Sequence, residues 1–207
     1  SGIKRFLEKQ RTDAGENEQL REFGLKLIPV DELNVTSKYG FLKRGESLTS
    51  NRFLTDVNFS NQKTYNVVYD FDYVETKRPT LKSNWTKQLG DASYQFGKFR
   101  PGVNFLSEQK KDKIPNKDSL SSGSLKYLEG APYIEVSDIS GFSFLAKYSI
   151  RDESFPIDGQ LEKESRASMT TFSSKYRGIK EVSTSLNLTV RKKKFTDKFK
   201  QRGLSDN

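Results

Sequence analysis

The sequence predicts a mainly β fold: an antiparallel sandwich or small barrel of about eight strands with long hairpins, a short helical N-terminal arm and a basic C-terminal arm. Three observations carry this reading. Several stretches alternate aromatic and polar residues, as half-buried strands do. Helical spacing is confined to the ends of the chain. Finally, 15 Phe and 9 Tyr supply large apolar areas in a 207-residue chain that is only 33% hydrophobic. A mean hydropathy of -0.78 and 30% charged residues leave room for a thin aromatic core and little more.

The expected organisation is an arm over 1–27, an antiparallel β domain over 28–190 and a basic tail over 191–207. Ile3, Phe6 and Leu7 recur at helical spacing, and Asn17 to Phe23 predicts a further turn or two of helix before Gly24. Beyond Ile28-Pro29-Val30 the period becomes two. Phe53, Val57 and Phe59 share one face. From Tyr65 to Tyr73 five apolar residues alternate with Asn66, Val68, Asp70 and Asp72, and Asn61-Gln62-Lys63 makes the hairpin between these runs. Ala92 to Phe96 alternates briefly. Residues 107–123 contain little that is apolar except Ile114 and Leu120, which predicts an exposed polar loop. Phe142, Phe144, Ala146, Tyr148 and Ile150 then alternate with polar residues. Two further runs, Ala167 to Tyr176 and Ile179 to Lys193, flank Arg177-Gly178 and predict a long hairpin that projects as an arm. No internal repeat is present.

The chemistry is defined by what the chain lacks. It has neither His nor Cys, which removes the commonest general base, the thiolate nucleophile and most transition-metal ligands. Asp70 and Asp72, with Glu75 nearby, could share a hard cation, but a solvated strand face explains them more simply. Ser107-x-x-Lys110 lies in a polar stretch without its companion motifs, and no phosphate-cradling glycine loop occurs. Acceptor sequons begin at Asn34, Asn58, Asn84 and Asn187, near the number chance supplies. The expectation is a protein that is not an enzyme, with no cofactor, no metal and no small-molecule substrate. No apolar run is long enough for a transmembrane helix, and the first residues lack a signal-peptide core, so virion or cytoplasm is the expected location.

The formal charge is +9, concentrated in Arg191, Lys192, Lys193, Lys194, Lys198, Lys200 and Arg202 against Asp197. Phe195 and Phe199 are interleaved with these cations. The predicted partner-binding set is therefore Phe195, Phe199, Lys192, Lys193, Lys194, Lys198 and Lys200, with Ile3, Phe6 and Leu7 from the other end. The expected function is structural: a subunit of a large oligomer such as a virion, in the manner of a phage head-to-tail or tail component, with other protein subunits as partners. Two alternatives stand beside it. One is a nucleic-acid-binding module using the basic arm. The other is a bacterial surface or outer-membrane β-protein, whose strands would run apolar-out and polar-in as residues 142–150 do. The rings of Tyr69, Phe71 and Tyr73 are expected inside a core.

Overall fold

A computed structural model describes residues 2–6, 18–61, 63–115, 117, 119–179 and 182–206. Eleven strands follow one another: β1 (Gly2–Phe6), β2 (Glu18–Val30), β3 (Leu33–Arg44), β4 (Leu48–Ser60), β5 (Tyr65–Arg78), β6 (Leu81–Tyr94), β7 (Phe99–Lys113), β8 (Leu125–Ile139), β9 (Phe142–Ile157), β10 (Gln160–Ile179) and β11 (Val182–Phe195). A four-residue helix, α1 (Asp197–Lys200), follows them. All eleven strands form one open sheet in chain order, each pairing antiparallel with its neighbours in sequence. The fold is thus almost wholly antiparallel β, as expected, but it is one sheet rather than the two layers of a sandwich.

Turn chemistry explains the meander. The β9–β10 connection is the two-residue turn Asp158-Gly159, with φ of 51° and 79°, and the β8–β9 connection is Ser140-Gly141, with φ of 54° and 83°. Positive φ at both central residues gives the primed hairpin turn whose twist suits antiparallel strands. Asn61 holds the β4–β5 connection, its side-chain oxygen accepting the backbone N–H groups of Lys63, Thr64 and Tyr65. The connection of residues 114–124 folds back onto the Gly159 turn, where the Leu120 N–H donates to the Gly159 carbonyl at 2.9 Å.

Four sequence expectations are corrected. Ile3 and Phe6 lie on a strand, opposite Leu27 and Gly24, and not on a helix; Leu7 lies outside the described residues. The predicted helix near Asn17 to Phe23 is the start of β2. Helices this short are marginal, and an available sheet edge satisfies the same backbone groups through a ladder. The expected polar loop 107–123 is strand up to Lys113: Ser107 to Lys113 pair with β6, and as far as Lys110 also with β8. Lastly, β10 continues through Arg177-Gly178 to Ile179 instead of turning there.

No second layer covers either face among the described residues, since substantial contact occurs only between strands consecutive in sequence. The accessible surface of 14213 Å² is about 1.4 times the roughly 9,800 Å² of a compact globule of this mass. Among the described residues only Ala131, Ile157, Ala167 and Phe199 are buried hydrophobics, while Asp112, Ser124, Ser149, Glu153 and Ser165 are buried too. The expected aromatic core is therefore absent. Tyr69, Phe71 and Tyr73 lie half-exposed on an uncovered face.

Candidate functional site

The ladder registers sort every strand residue onto one of two faces. The first carries Val35, Val57, Tyr69, Phe105 and Ile150, which the registers join into one row across the sheet. Of the 25 exposed large hydrophobics among the described residues, 19 stand on this face, among them Phe23 at 50%, Val103 at 47% and Leu188 at 54%. The second face carries Asp56, Asp70, Asp91, Glu129, Lys147, Ser149 and Glu153. It is the better shielded of the two, with Ser149 at 3% and Glu153 at 7% exposure. Water-soluble sheets place their apolar face inside; here the polarity is reversed.

Shielding of a polar face without a covering layer means that the sheet curls around it. One groove is lined jointly by Asp70 of β5, Asp91 of β6, Asn104 of β7, Glu129 of β8 and Lys147 of β9. Flat, β5 and β9 would lie about 19 Å apart. Small residues let long side chains bridge alternate strands inside the curl. Tyr133 of β8 crosses Gly102 of β7 and donates from its hydroxyl to Asp91 of β6 at 3.0 Å. Asp91 also accepts from the amides of Asn66, at 3.3 Å, and Asn104. Lys193 of β11 likewise crosses β10 to reach the Glu153 carboxylate of β9 at 2.6 Å, where Ser165 donates at 3.1 Å and Arg151 lies at 3.3 Å. Burial alone would push Glu153 up, but the hydrogen bond and charge of Lys193, with Ser165 and Arg151, hold it below the ordinary carboxylate range.

Asp70 and Asp72, expected on a solvated outer face, are on this shielded side, and Asp72 is gripped by Arg52 through contacts of 3.0 and 2.5 Å. The alternation is the one the sequence predicts, with its sense inverted.

The apolar face carries a continuous band. On β3, β5, β8 and β9 it spans residues 33–41, 65–73, 128–136 and 142–150, nine residues each, and a membrane-crossing β-strand needs about 9–11. Within the band, from Phe23 on β2 to Val190 on β11, no Asp, Glu, Lys or Arg occurs on this face among the described residues. Rings pack along it, Phe142 tilted against Tyr176 at 4.5 Å and Phe59 stacked on Tyr65 at 4.8 Å.

The border of the band is oblique. Charge begins after Phe41 on β3, Tyr73 on β5, Ile150 on β9 and Val190 on β11, where Lys43, Glu75, Asp152 and Lys192 follow. Phe41 stands six residues beyond Val35, and Val190 stands two residues before Lys192, which shares the row of Val35. The border therefore climbs 6 + 2 = 8 residues over eight strand steps, about 26 Å along the strands for about 38 Å across them, an inclination of roughly 35°.

Past this border the strands continue as a charged zone, here termed the basic end, which includes the 114–124 connection and the tail. Arg166 grips Asp152 there through Nε at 2.7 Å and Nη2 at 3.0 Å, and Lys163 joins at 2.8 Å. Arg166 and Lys163 hold the Asp152 carboxyl down to about 2 against its ordinary 3.8. A depressed carboxylate contributes stability above its unfolded pKa and loses it as pH falls. Asp152→Asn is therefore expected to be less stable than the wild type at neutral pH, the difference closing between about pH 4 and about pH 2 in urea titrations. A difference that persists unchanged below pH 2 would show that the charge does not matter.

The predicted partner residues separate. Lys192 and Lys194 are exposed on the apolar side of β11, whereas Lys193 points to the shielded side. Phe195 sits half-buried opposite Ser165, with the Lys193 ammonium 4.8 Å from its ring. Phe199 is on α1 and only 7% exposed, so it packs within its own chain; it shares no helical stripe with Phe195, which is in a strand. Lys198 pairs with Glu162 and Lys200 with Asp206, both at 2.7 Å. The sequence carries the apolar outer face only in the alternation of residues 142–150, on which the outer-membrane alternative rests; its extent across the other strands appears only in the registers.

No protein-family model matches this chain, and no curated protein is similar to it in sequence.

Proposed function

We propose that this chain is the wall of a membrane-spanning β-barrel, with lipid against the aromatic face and water against the polar one. The observation that carries the reading is the uncharged band: nine residues deep on several strands and bordered at roughly 35°, close to the 35–45° tilt of strands in outer-membrane barrels. A bilayer imposes one straight border on every strand it meets. From β7 to β11 the first charge on this face descends from Lys111 through Lys126 and Asp152 to Lys192, and a protein partner covering the face has no reason to keep such an edge. The half-hidden network of Asp91, Glu153, Arg151 and Lys193 then lines a polar lumen, as charged residues do inside such barrels. The role is structural or conductive and needs no catalytic residue. Assembly into a virion or a larger protein complex, the expectation from composition, is the outcome to which failure of this reading would return.

The absence of native Cys makes the test direct. Single cysteines at positions 143–150 are spin-labelled in phosphatidylcholine vesicles, and their collision with oxygen and with a water-soluble nickel chelate is measured. Labels at Phe144, Ala146, Tyr148 and Ile150 are expected to favour oxygen, and those at Ser143, Leu145, Lys147 and Ser149 the chelate. Labels without this period of two, or a chain that stays out of the vesicles, would refute the proposal.

A further inference from the structure

Where the apolar band ends at the basic end, the flank of the lipid-facing side is cationic. The registers place Arg21, Lys43, Lys111, Lys126, Lys192 and Lys194 on that face just outside the border, each exposed. None has a carboxylate within ion-pairing distance among the described residues. The acids that the registers put beside them, Glu75 and Asp152, are already neutralised. Lys77 and Lys82 hold the first at 3.4 and 3.2 Å, and Lys163 and Arg166 hold the second at 2.8 and 2.7 Å.

The polar face carries both kinds of cation: Arg52 is matched by Asp72 and Lys193 by Glu153, while Lys38, Lys87, Lys147 and Lys175 stand there without an ion pair among the described residues. On the apolar face, from β2 to β11, every strand Lys and Arg among the described residues stands at this one end of the band, although the six residues come from five different strands. Solubility would not require that sorting. A layer of anionic groups lying along the border would.

We infer that this collar binds the anionic headgroups of one membrane leaflet, fixing which end of the sheet faces that leaflet. The inference rests on the membrane-spanning reading above and adds the chemistry of the leaflet: phosphate-bearing lipids with net negative charge, attracted by cations within a Debye length of the surface. Exposed Lys and Arg side chains suit the task, because their stems lie along apolar surface while the charge reaches the headgroup level.

The full chain, refolded in non-ionic detergent, is partitioned into vesicles of phosphatidylcholine alone and into vesicles containing phosphatidylglycerol, with binding read by flotation. Wild type is expected in both, with preference for the anionic vesicles that collapses at about 0.5 M salt, where screening shortens to a few ångströms. The variant Lys126→Gln with Lys192→Gln and Lys194→Gln should lose that preference by about five-fold per charge, or roughly a hundred-fold together. A control removing Lys63, Lys98 and Arg177, which lie at the opposite end of the strands, should retain it. Equal partition of the wild type into both vesicles would overturn the collar and leave the membrane reading standing. So would an equal loss in the control, which would reduce the effect to net charge. Failure to enter either vesicle would overturn both. The salt dependence of the wild type decides the matter even if the triple variant does not fold.

Discussion

Ala146→Arg is expected to destabilise the chain in phospholipid vesicles by about 2–4 kcal/mol, the cost of a guanidinium near the bilayer midplane on the lipid face of a barrel. Ala146 is the centre of the 142–150 band, exposed, and flanked on the same face by Phe144 and Tyr148. Leu145, one residue earlier, points to the polar side, where Ser173 and Asn187 line the same space. Leu145→Arg should therefore cost under about 1 kcal/mol, within the range of an ordinary surface change. The pair differs by one position in sequence and by a hundred-fold or so in the expected folding equilibrium, about 2.7 kcal/mol. Urea unfolding from vesicles measures both. Were the apolar face bathed in water instead, Ala146→Arg would cost no more than Leu145→Arg, both being ordinary surface changes. Equal costs would remove the distinction between the two faces on which the functional reading depends.

The second large effect is expected at Gly102. A Cβ there would stand 2.3 Å from Cζ of Tyr133 and 2.5 Å from its hydroxyl, so the ring must leave and give up its 3.0 Å bond to Asp91. Glycine to alanine inside a strand normally stabilises by about 0.5–1 kcal/mol. Here Gly102→Ala should destabilise by about 1–3 kcal/mol, combining overpacking with loss of a hydrogen bond to a charged acceptor. Tyr133→Ala removes the ring that the new methyl meets, so the double variant should be more stable than the two single costs predict. A double-mutant cycle in urea reads this directly. Simple additivity would mean that the ring does not cross the glycine.

Much of the fold was legible in local periodicity, but its inside and outside were not. The strands β5 and β9 announce themselves because five residues in each alternate with polar neighbours. Period two says only that the faces differ. Which face meets solvent was assigned from the rule for water-soluble sheets, and the shielded Glu153 and Ser149 reverse it. The second half of β7 was illegible for another reason. Ser107 to Lys113 lie beyond the band, so both faces are polar, and the strand is held by the ladder and by pairs such as Trp85 Nε1 donating to Glu108 at 2.8 Å and Ser83 donating to Asp112 at 2.5 Å. The tail was visible as a cluster of cations, but only register separates Lys192 and Lys194 from Lys193. The collar could not be seen in sequence at all, because its members come from strands spread between Arg21 and Lys194 and meet only along a border drawn across the ladder.

The strand count has one more consequence. In a meander every strand reverses the last, so β1 and β11, the first and eleventh, run in the same direction. A seam joining those two edges directly would be a lone parallel pair, with slanted and weaker hydrogen bonds, in an otherwise antiparallel sheet. Rings made only of identical copies in one orientation would repeat that seam at every junction. An odd number of additional strands at each seam restores alternation and gives an even total, the rule among bacterial single-chain barrels. The direction in which its two edges point thus sets the parity of whatever completes the circuit.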